Sequence, residues 1–358
     1  MISRKKSKAA GLLALFMAFT TLLAACSPEE PAETGETTTA AAADGTESET
    51  AETELRQLTV ILDYLVNTNH SGLYIALDKG YFEDEGLDVS IIEPADGVTL
   101  QLVAAGRGDI GVTYQEDMTY ALSGDEPLPL TAIATLIQNN TSGFASSADK
   151  NITSPADFED RTYTGWGSPS ETAVIHAVMQ AYDADPESIR IISSSTATYA
   201  NLLTDIDLMW FYEGWDLIAA RQQGFELNYM PLRDLDERLN YYTPILFAAD
   251  DLLENEPETA RAFLRAATLG YNEASDPDNA EAIADILMEY SPELDRELLV
   301  PSQQFLAEQY SLGAPAWGYM QDEVWDNYTA FMHEWELIDE VLPASAYYTN
   351  EYLPEIKE

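Results

Sequence analysis

Short apolar runs alternate with helical stretches from residue 58 onward, and this alternation narrows the available folds more than any other feature of the chain. Leu58-Thr-Val-Ile-Leu62 reads as a buried strand, Gly72 to Lys79 as a helix stopped by Gly80, and Leu87-Asp-Val-Ser-Ile-Ile92 as the next strand. Val98 to Ala105 then reads as a helix ended by Gly106, and Asp109-Ile-Gly-Val-Thr113 as a third strand. A second set follows in Arg161 to Gly165, the helix after Pro169, Ile189 to Ile192, and Asp207 to Trp210. Repeated strand, helix, strand units imply an α/β fold on a mostly parallel sheet, with ligands beyond the carboxyl ends of the strands. The roughly 300 residues after Gln57 exceed one ordinary core, so two lobes are expected, 58–142 with 243–358 and 143–242. After Tyr242 the chain reads as helical: Glu256 to Ala274, Ala280 to Glu289, Pro301 to Tyr310 and Glu323 to Trp335.

The amino end carries a different message. Arg4, Lys5, Lys6 and Lys8 precede an uncharged apolar run, Ala9 to Ala25, which is about the length of a secretory signal and shorter than a comfortable bilayer span of roughly 20 residues. The run closes on Leu23-Ala24-Ala25-Cys26, a lipobox-like phrase holding the chain's single cysteine. The expectation is a cleaved signal over residues 1–25, lipidation of Cys26 and an extracytoplasmic protein anchored to the membrane by that lipid; a short buried helix with a chance cysteine is the alternative. With one cysteine, disulfides and thiolate metal sites are excluded. Residues 26–57 are Glu, Thr, Ala, Pro and Gly with hardly a large apolar side chain, and read as a disordered acidic tether.

Sixty-three acidic residues against 17 basic ones give a formal charge of −46, which repels a phosphate backbone and excludes nucleic acid as a partner. The three histidines, at 70, 176 and 333, have no metal-ligand spacing, and no cofactor is expected.

Several phrases carry a family resemblance. They are Leu62-Asp-Tyr-Leu-Val-Asn-Thr-Asn-His70, Lys79-Gly-Tyr-Phe82, Gly111-Val-Thr-Tyr-Gln-Glu116, Ile137 to Phe144, Gly165-Trp-Gly-Ser-Pro169, Trp210-Phe-Tyr-Glu-Gly-Trp215 and Leu232-Arg-Asp-Leu-Asp236. The chain resembles solute-binding proteins for thiamine-pyrimidine precursors, hydroxymethylpyrimidine and formylaminopyrimidine. That resemblance implies the type II periplasmic-binding fold, two doubly wound α/β lobes around a cleft. It further implies an aminopyrimidine-type ligand, a permease and ATPase of an ABC importer as partners, and no enzymatic activity. One phrase departs: Tyr64, Leu65 and Val66 stand where the family commonly has Trp, Thr and Pro. Fungal pyrimidine synthases resemble these binders, but where they carry a Schiff-base lysine and a reactive histidine this chain has Thr113 and Asp117.

The candidate ligand residues follow from position and type. Tyr64, Tyr114, Trp166, Tyr212 and Trp215 fall at or just after strand ends, where flat side chains suit a flat heteroaromatic ring, each stack adding about 0.5 to 1.5 kcal/mol beyond burial. Core packing is the alternative for any of them, and Trp210 reads as core. Glu213 interrupts an apolar and aromatic segment; one carboxylate can accept the two parallel donors of a protonated aminopyrimidine, or else sit exposed in a loop. Ser168 either holds a polar tail of the ligand at a helix start or simply caps that helix. Asn67, His70, Gln115 and Asn139 supply neutral hydrogen bonding, with Asn67 and His70 favoured by the resemblance. Few cations lie in these phrases, and Arg233-Asp234 reads equally well as an internal ion pair, so a neutral or weakly basic ligand fits better than a sulfonate. Riboflavin, thiamine and a sulfonate remain alternative ligands, and a surface adhesin a third reading.

Overall fold

The computed structural model describes residues 54–94, 99–194 and 198–356; the expectations for the signal, Cys26 and the tether up to Thr53 lie outside the described residues. Arg56 opens the first of two five-stranded sheets. Its chain order is β1 (Arg56–Ile61), α1 (Ser71–Asp78), α2 (Tyr81–Asp84), β2 (Leu87–Ile92), α3 (Thr99–Ala104), β3 (Ile110–Thr113), α4 (Gln115–Ser123) and β4 (Leu130–Thr135). Residues 136–141 then cross to β5 (Ser142–Ser147), β6 (Thr162–Gly165), α5 (Pro169–Ala181), β7 (Arg190–Ser193), β8 (Leu208–Tyr212), α6 (Ile218–Gln222), β9 (Leu227–Pro231) and α7 (Leu232–Leu235). A second crossing returns the chain to β10 (Ile245–Ala249), followed by α8 (Asp250–Asn255), α9 (Pro257–Ala274), α10 (Ala280–Tyr290), α11 (Arg296–Gln309) and α12 (Asp322–Glu334).

Both sheets share one plan. The orders are β2-β1-β3-β10-β4 and β7-β6-β8-β5-β9, and in each the first strand laid down after a crossing, β10 or β5, lies antiparallel between two neighbours. Most neighbours of the remaining strands are parallel, as expected. The sequence reading makes the chain helical after Tyr242 and names no strand at β4, β5, β9 or β10; the structure corrects this. Ile245-Leu-Phe-Ala-Ala249 is a five-residue apolar run leading straight into a helix, and periodicity alone does not separate a buried strand from a buried helix turn at that length.

Helices cover both faces of each sheet. In the first, α1, α9, α10 and α11 bury one face around Val60, Ile110 and Phe263, and α3 and α4 cover the other with Ile61, Met118 and Phe247. α1 and α9 approach so closely that a Cβ on Gly270 would fall on the Gly72 carbonyl, and one on Gly72 on the Tyr271 ring. The second sheet packs α5 through Val174 and Ile175 against Phe144 and Tyr163.

Two expectations for the helical tail change. α12, assigned with residues 243–358 to the first lobe, divides its stripe: Trp325 joins the first sheet's cluster, whereas Tyr328, Phe331 and Met332 join Phe144, Tyr163 and Leu208 of the second. A 3.6-residue pattern shows that a helix has a buried stripe without showing which core receives it. Helix α11 starts at Arg296, capped by the Asp295 side chain, and takes Pro301 into its interior rather than at its start. Proline has no N–H for the carbonyl four residues back. That carbonyl, on Glu297, instead accepts a hydrogen bond from Nε2 of Gln222 on α6, at 2.5 Å.

Candidate functional site

β1, β3, β6 and β8 all end toward the region where the chain twice crosses between sheets, and every candidate residue ends or follows one of these strands or lies in a crossing. The two crossings are tied to each other: Asn240 Nδ2 donates to Asn139 Oδ1 at 2.9 Å, Asn140 N–H to Asn240 Oδ1 at 2.9 Å, and Asn140 Nδ2 to the Leu239 carbonyl at 2.8 Å. Asn139 thus belongs to the paired crossings, and its own Nδ2 reaches the Leu312 carbonyl at 3.4 Å.

The turn after β1 is organised by its polar residues. Asn67 caps the turn Thr68–His70 by accepting from Asn69 N–H at 2.8 Å, while its Nδ2 donates to the Leu65 carbonyl. His70 has no exposed surface; its Nδ1 accepts the Asn67 N–H at 3.3 Å, which leaves Nε2 as the donor to Asp63 Oδ1 at 2.7 Å. Both histidine nitrogens are therefore occupied within the fold. Burial pushes the Asp63 carboxyl up, but the hydrogen bonds it accepts, from His70 first and Tyr114 after it, outweigh burial and hold Asp63 below its ordinary pKa. Tyr64 stands at the rim, 62% exposed.

Tyr114 follows β3 and Tyr212 ends β8. Burial raises the pKa of both hydroxyls, helped by the Asp63 charge for Tyr114 and by the Glu116 charge, with smaller parts from Asp216 and Asp63, for Tyr212. Gln115 is fully buried and joins elements: its Oε1 accepts Tyr242 N–H at 2.9 Å and its Nε2 donates to the Val324 carbonyl at 3.2 Å.

On the second sheet, Trp166 is 51% exposed and set edge-on to Trp210, ring centroids 5.3 Å apart. Its loop is fixed by the buried Glu171 carboxylate, which accepts the Tyr163 hydroxyl and, at 2.5 Å, the Gly167 N–H; Gly167 has φ +88°. Ser168 caps α5, accepting Glu171 N–H at 3.1 Å, and its hydroxyl lies 2.8 Å from that of Ser170.

The segment after β8 is a π-helical turn, Glu213–Leu217. Glu213 accepts Arg233 Nη2 at 3.1 Å, so a ligand reading Glu213 shares it with a guanidinium. Arg233 pairs across to Glu213 rather than with its neighbour Asp234. Trp215 packs against the first sheet's core cluster although it follows a strand of the second, and a Cβ on Gly214 would touch Phe305 and Leu306 of α11. The Asp216 carboxyl, pushed up by burial, accepts Tyr212 N–H at 2.9 Å.

Sequence reasoning named Glu213 and passed over the other carboxylates as ligand groups. Besides Asp63 and Asp216, Glu116 and Asp117 at the start of α4 are both pushed up by burial, Glu116 to about 7. Tyr241 of the second crossing and Tyr328 of α12 stack with ring centroids 4.0 Å apart, and Glu116 acts on both. The signal lay beside Gln115, in an acidic pair opening a helix straight after a buried strand.

A cavity of about 420 Å³ opens elsewhere, at the start of β1, and holds none of the candidate residues. Three of its charged groups are paired, Arg56 bridging Glu256 at 2.8 Å and Asp109 at 3.0 Å, and the convergence of strand ends is the better guide to the site. Among the described residues no group of three His, Cys, Asp or Glu could hold a metal, and no helix is long and apolar enough to cross a membrane.

Comparison with known proteins agrees with this architecture. The chain is 25% identical over 291 residues to the formylaminopyrimidine-binding protein of Halalkalibacterium halodurans, covering 78% of this chain and 86% of that one. It is also 25% identical over 350 residues to the riboflavin-binding protein RibY of Chloroflexus aurantiacus, covering 93% and 95%. A 4-amino-5-hydroxymethyl-2-methylpyrimidine phosphate synthase of Legionella pneumophila matches at 22% over 313 residues, covering 84% and 93%. Among solved structures, the periplasmic aliphatic sulphonate binding protein SsuA of Escherichia coli superimposes with a TM-score of 0.62 at 16% identity, covering 85% and 95%. The fold is thus the two-lobed α/β fold of periplasmic binding proteins. With residues 67–280 matching the family model described as NMT1/THI5 like, this chain belongs to the NMT1/THI5-like family.

Proposed function

We propose that the chain is the extracytoplasmic solute-binding lipoprotein of an ABC importer, closing two lobes over an aminopyrimidine of the thiamine-precursor type and delivering it to a permease. The observation that carries the reading is the character of the strand ends. Tyr114 and Tyr212 lie there with Asp63, Glu116, Asp117 and Asp216, Trp166 stands half-exposed after β6, and the Arg233 guanidinium is committed to Glu213. Such a lining disfavours a sulfonate or nitrate and favours a flat, neutral or protonated nitrogen heterocycle, whose ring can stack and whose amino groups can donate. The formylaminopyrimidine-binding relative supports the same class. The carrier reading, as against a synthase, is supported by Thr113 and Asp117 at the positions where a lysine and a histidine would be needed. Riboflavin is the second reading, favoured by the near full-length match to a riboflavin binder.

Calorimetric titration of residues 27–358 with 4-amino-5-hydroxymethyl-2-methylpyrimidine, formylaminopyrimidine, thiamine, riboflavin and taurine tests the ligand. A saturable aminopyrimidine signal that weakens about tenfold or more in Glu213→Gln, roughly 1.4 kcal/mol, supports both ligand and residue. Tight riboflavin or taurine binding without pyrimidine heat replaces the ligand and keeps the carrier. For the anchor, Cys26→Ala is expected to release the protein from the membrane fraction; retention there would remove lipidation from the account.

A further inference from the structure

Glu116 lies between parts of the molecule that belong to different sheets. It sits in the first turn of α4, which covers the first sheet. One carboxyl oxygen takes the hydroxyl of Ser170, from the first turn of α5 on the second sheet, and the other takes the Tyr328 hydroxyl of α12 at 3.2 Å. Ser170 and Tyr328 are both fully enclosed, at 1% and 0% exposure.

The groups facing this carboxyl are acidic or neutral from every side. Asp117 and Tyr120 come from its own helix, Glu171 from α5, Tyr328 from α12, Tyr241 from the second crossing and Tyr212 from β8. Two of these are carboxyls, and no cation is among them. The Tyr120 hydroxyl, whose oxygen is buried, has no hydrogen-bond partner among the described residues. An ionised Glu116 here would be desolvated beside like charges, which is costly, whereas a neutral one can donate to Ser170 Oγ, which in turn can donate to Ser168 Oγ 2.8 Å away.

We infer that Glu116 is a proton-operated latch between the lobes: it bridges to Ser170 as a neutral acid when the cleft is closed and ionises in water when α5 moves away. The inference rests on the two-lobed clamp proposed above and supplies its regulation. Burial accounts for the direction, raising the carboxyl from 4.5 to about 7 in the bridged arrangement, which the inference takes as the closed one. Because the closed-state value is the higher one, closure is favoured most below the open value and loses that help as pH rises through the closed value. The sensitive window therefore runs from about 4.5 to about 7, with a flat response above it.

Small-angle scattering of the ligand-free chain across pH 5 to 8 tests the latch without any ligand. The radius of gyration is expected to grow as pH rises and then level, and Glu116→Gln is expected to keep the compact value throughout. Tyr328→Phe, which preserves the ring stack while removing a hydroxyl that favours the ionised carboxyl, is expected to move the midpoint to higher pH. A flat wild-type profile, an unchanged slope in Glu116→Gln, or an unmoved midpoint in Tyr328→Phe would overturn the inference. Where 4-amino-5-hydroxymethyl-2-methylpyrimidine binds, its apparent Kd should rise by at most about tenfold per pH unit within the window, the limit for one linked proton. Failure of that compound to bind would count against the ligand and leave the scattering result to decide the latch.

Discussion

Arg233 donates to the Glu213 carboxylate at 3.1 Å through one nitrogen and to the Asn140 carbonyl at 2.8 Å through another, so a single guanidinium joins the turn after β8 to the first crossing. Glu213→Gln keeps an oxygen for this guanidinium, whereas Arg233→Met leaves two acceptors without a donor. Both side chains retain about a quarter of their exposure, 27% and 23%, so water moderates the loss. Arg233→Met is expected to cost about 1 to 2 kcal/mol in urea unfolding and Glu213→Gln less than about 1 kcal/mol.

The buried pair of Asp63 and His70 should be far less tolerant. His70→Ala removes the donor from a carboxylate held ionised in the interior, and the expected loss is about 3 kcal/mol or more. The pH dependence has a definite sign. A folded-state pKa held below the ordinary value contributes stability present above the unfolded pKa and lost as pH falls through the folded one, so the wild type should lose this contribution only below about pH 4. Acid unfolding of wild type and Asp63→Asn, compared by circular dichroism, checks it.

Gly270→Ala is expected to destabilise the first lobe by about 2 to 3 kcal/mol, since its methyl must displace the α1 backbone at the Gly72 carbonyl. Thermal melting of this variant beside Gly106→Ala, where a Cβ would meet nothing within 4 Å, separates crowding from backbone strain, because Gly106 carries φ +69° and Gly270 does not carry a positive φ.

Gln222 and Pro301 should be coupled. Gln222→Ala strands the Glu297 carbonyl and is expected to cost about 0.5 to 1 kcal/mol. In a Pro301→Ala background the restored helix N–H serves that carbonyl, and the same substitution should become nearly neutral. A double-mutant cycle in urea reads the difference directly.

Trp166→Ala should leave stability little changed, since half of the side chain already faces water, while weakening a stacked ligand by about 0.5 to 1.5 kcal/mol. Equal affinity in the variant would remove Trp166 from the binding surface.

How far the sequence carries the fold depends on what each element needs from a distance. β1, β2, β3 and the capped helices were legible because their signals are local: an apolar run, a glycine stop, a serine before Pro169. β10 was not, because its identity as a strand comes from β3 and β4 on either side. The site divides likewise. The aromatic strand ends could be read, but that His70 is enclosed with both nitrogens engaged, or that Gln115 sews α4 to the second crossing, depends on partners contributed by the tertiary fold. Glu116 shows the limit most clearly: it meets Ser170, 54 positions away in the chain, only because two separate sheets place α4 and α5 together.

The late arrival of β10 has a consequence for how the molecule comes into being. Until residues 245–249 emerge, β3 and β4 have no partner between them, so the first sheet stays split while the whole second sheet is made. Its unpaired edges are sites for mispairing with other chains, and the long closure needed to fill the gap slows assembly. Newly made protein should therefore pass through a stage in which the second sheet is already protected from hydrogen exchange and the first is not, and holding the chain unfolded through that interval would favour recovery of the native form.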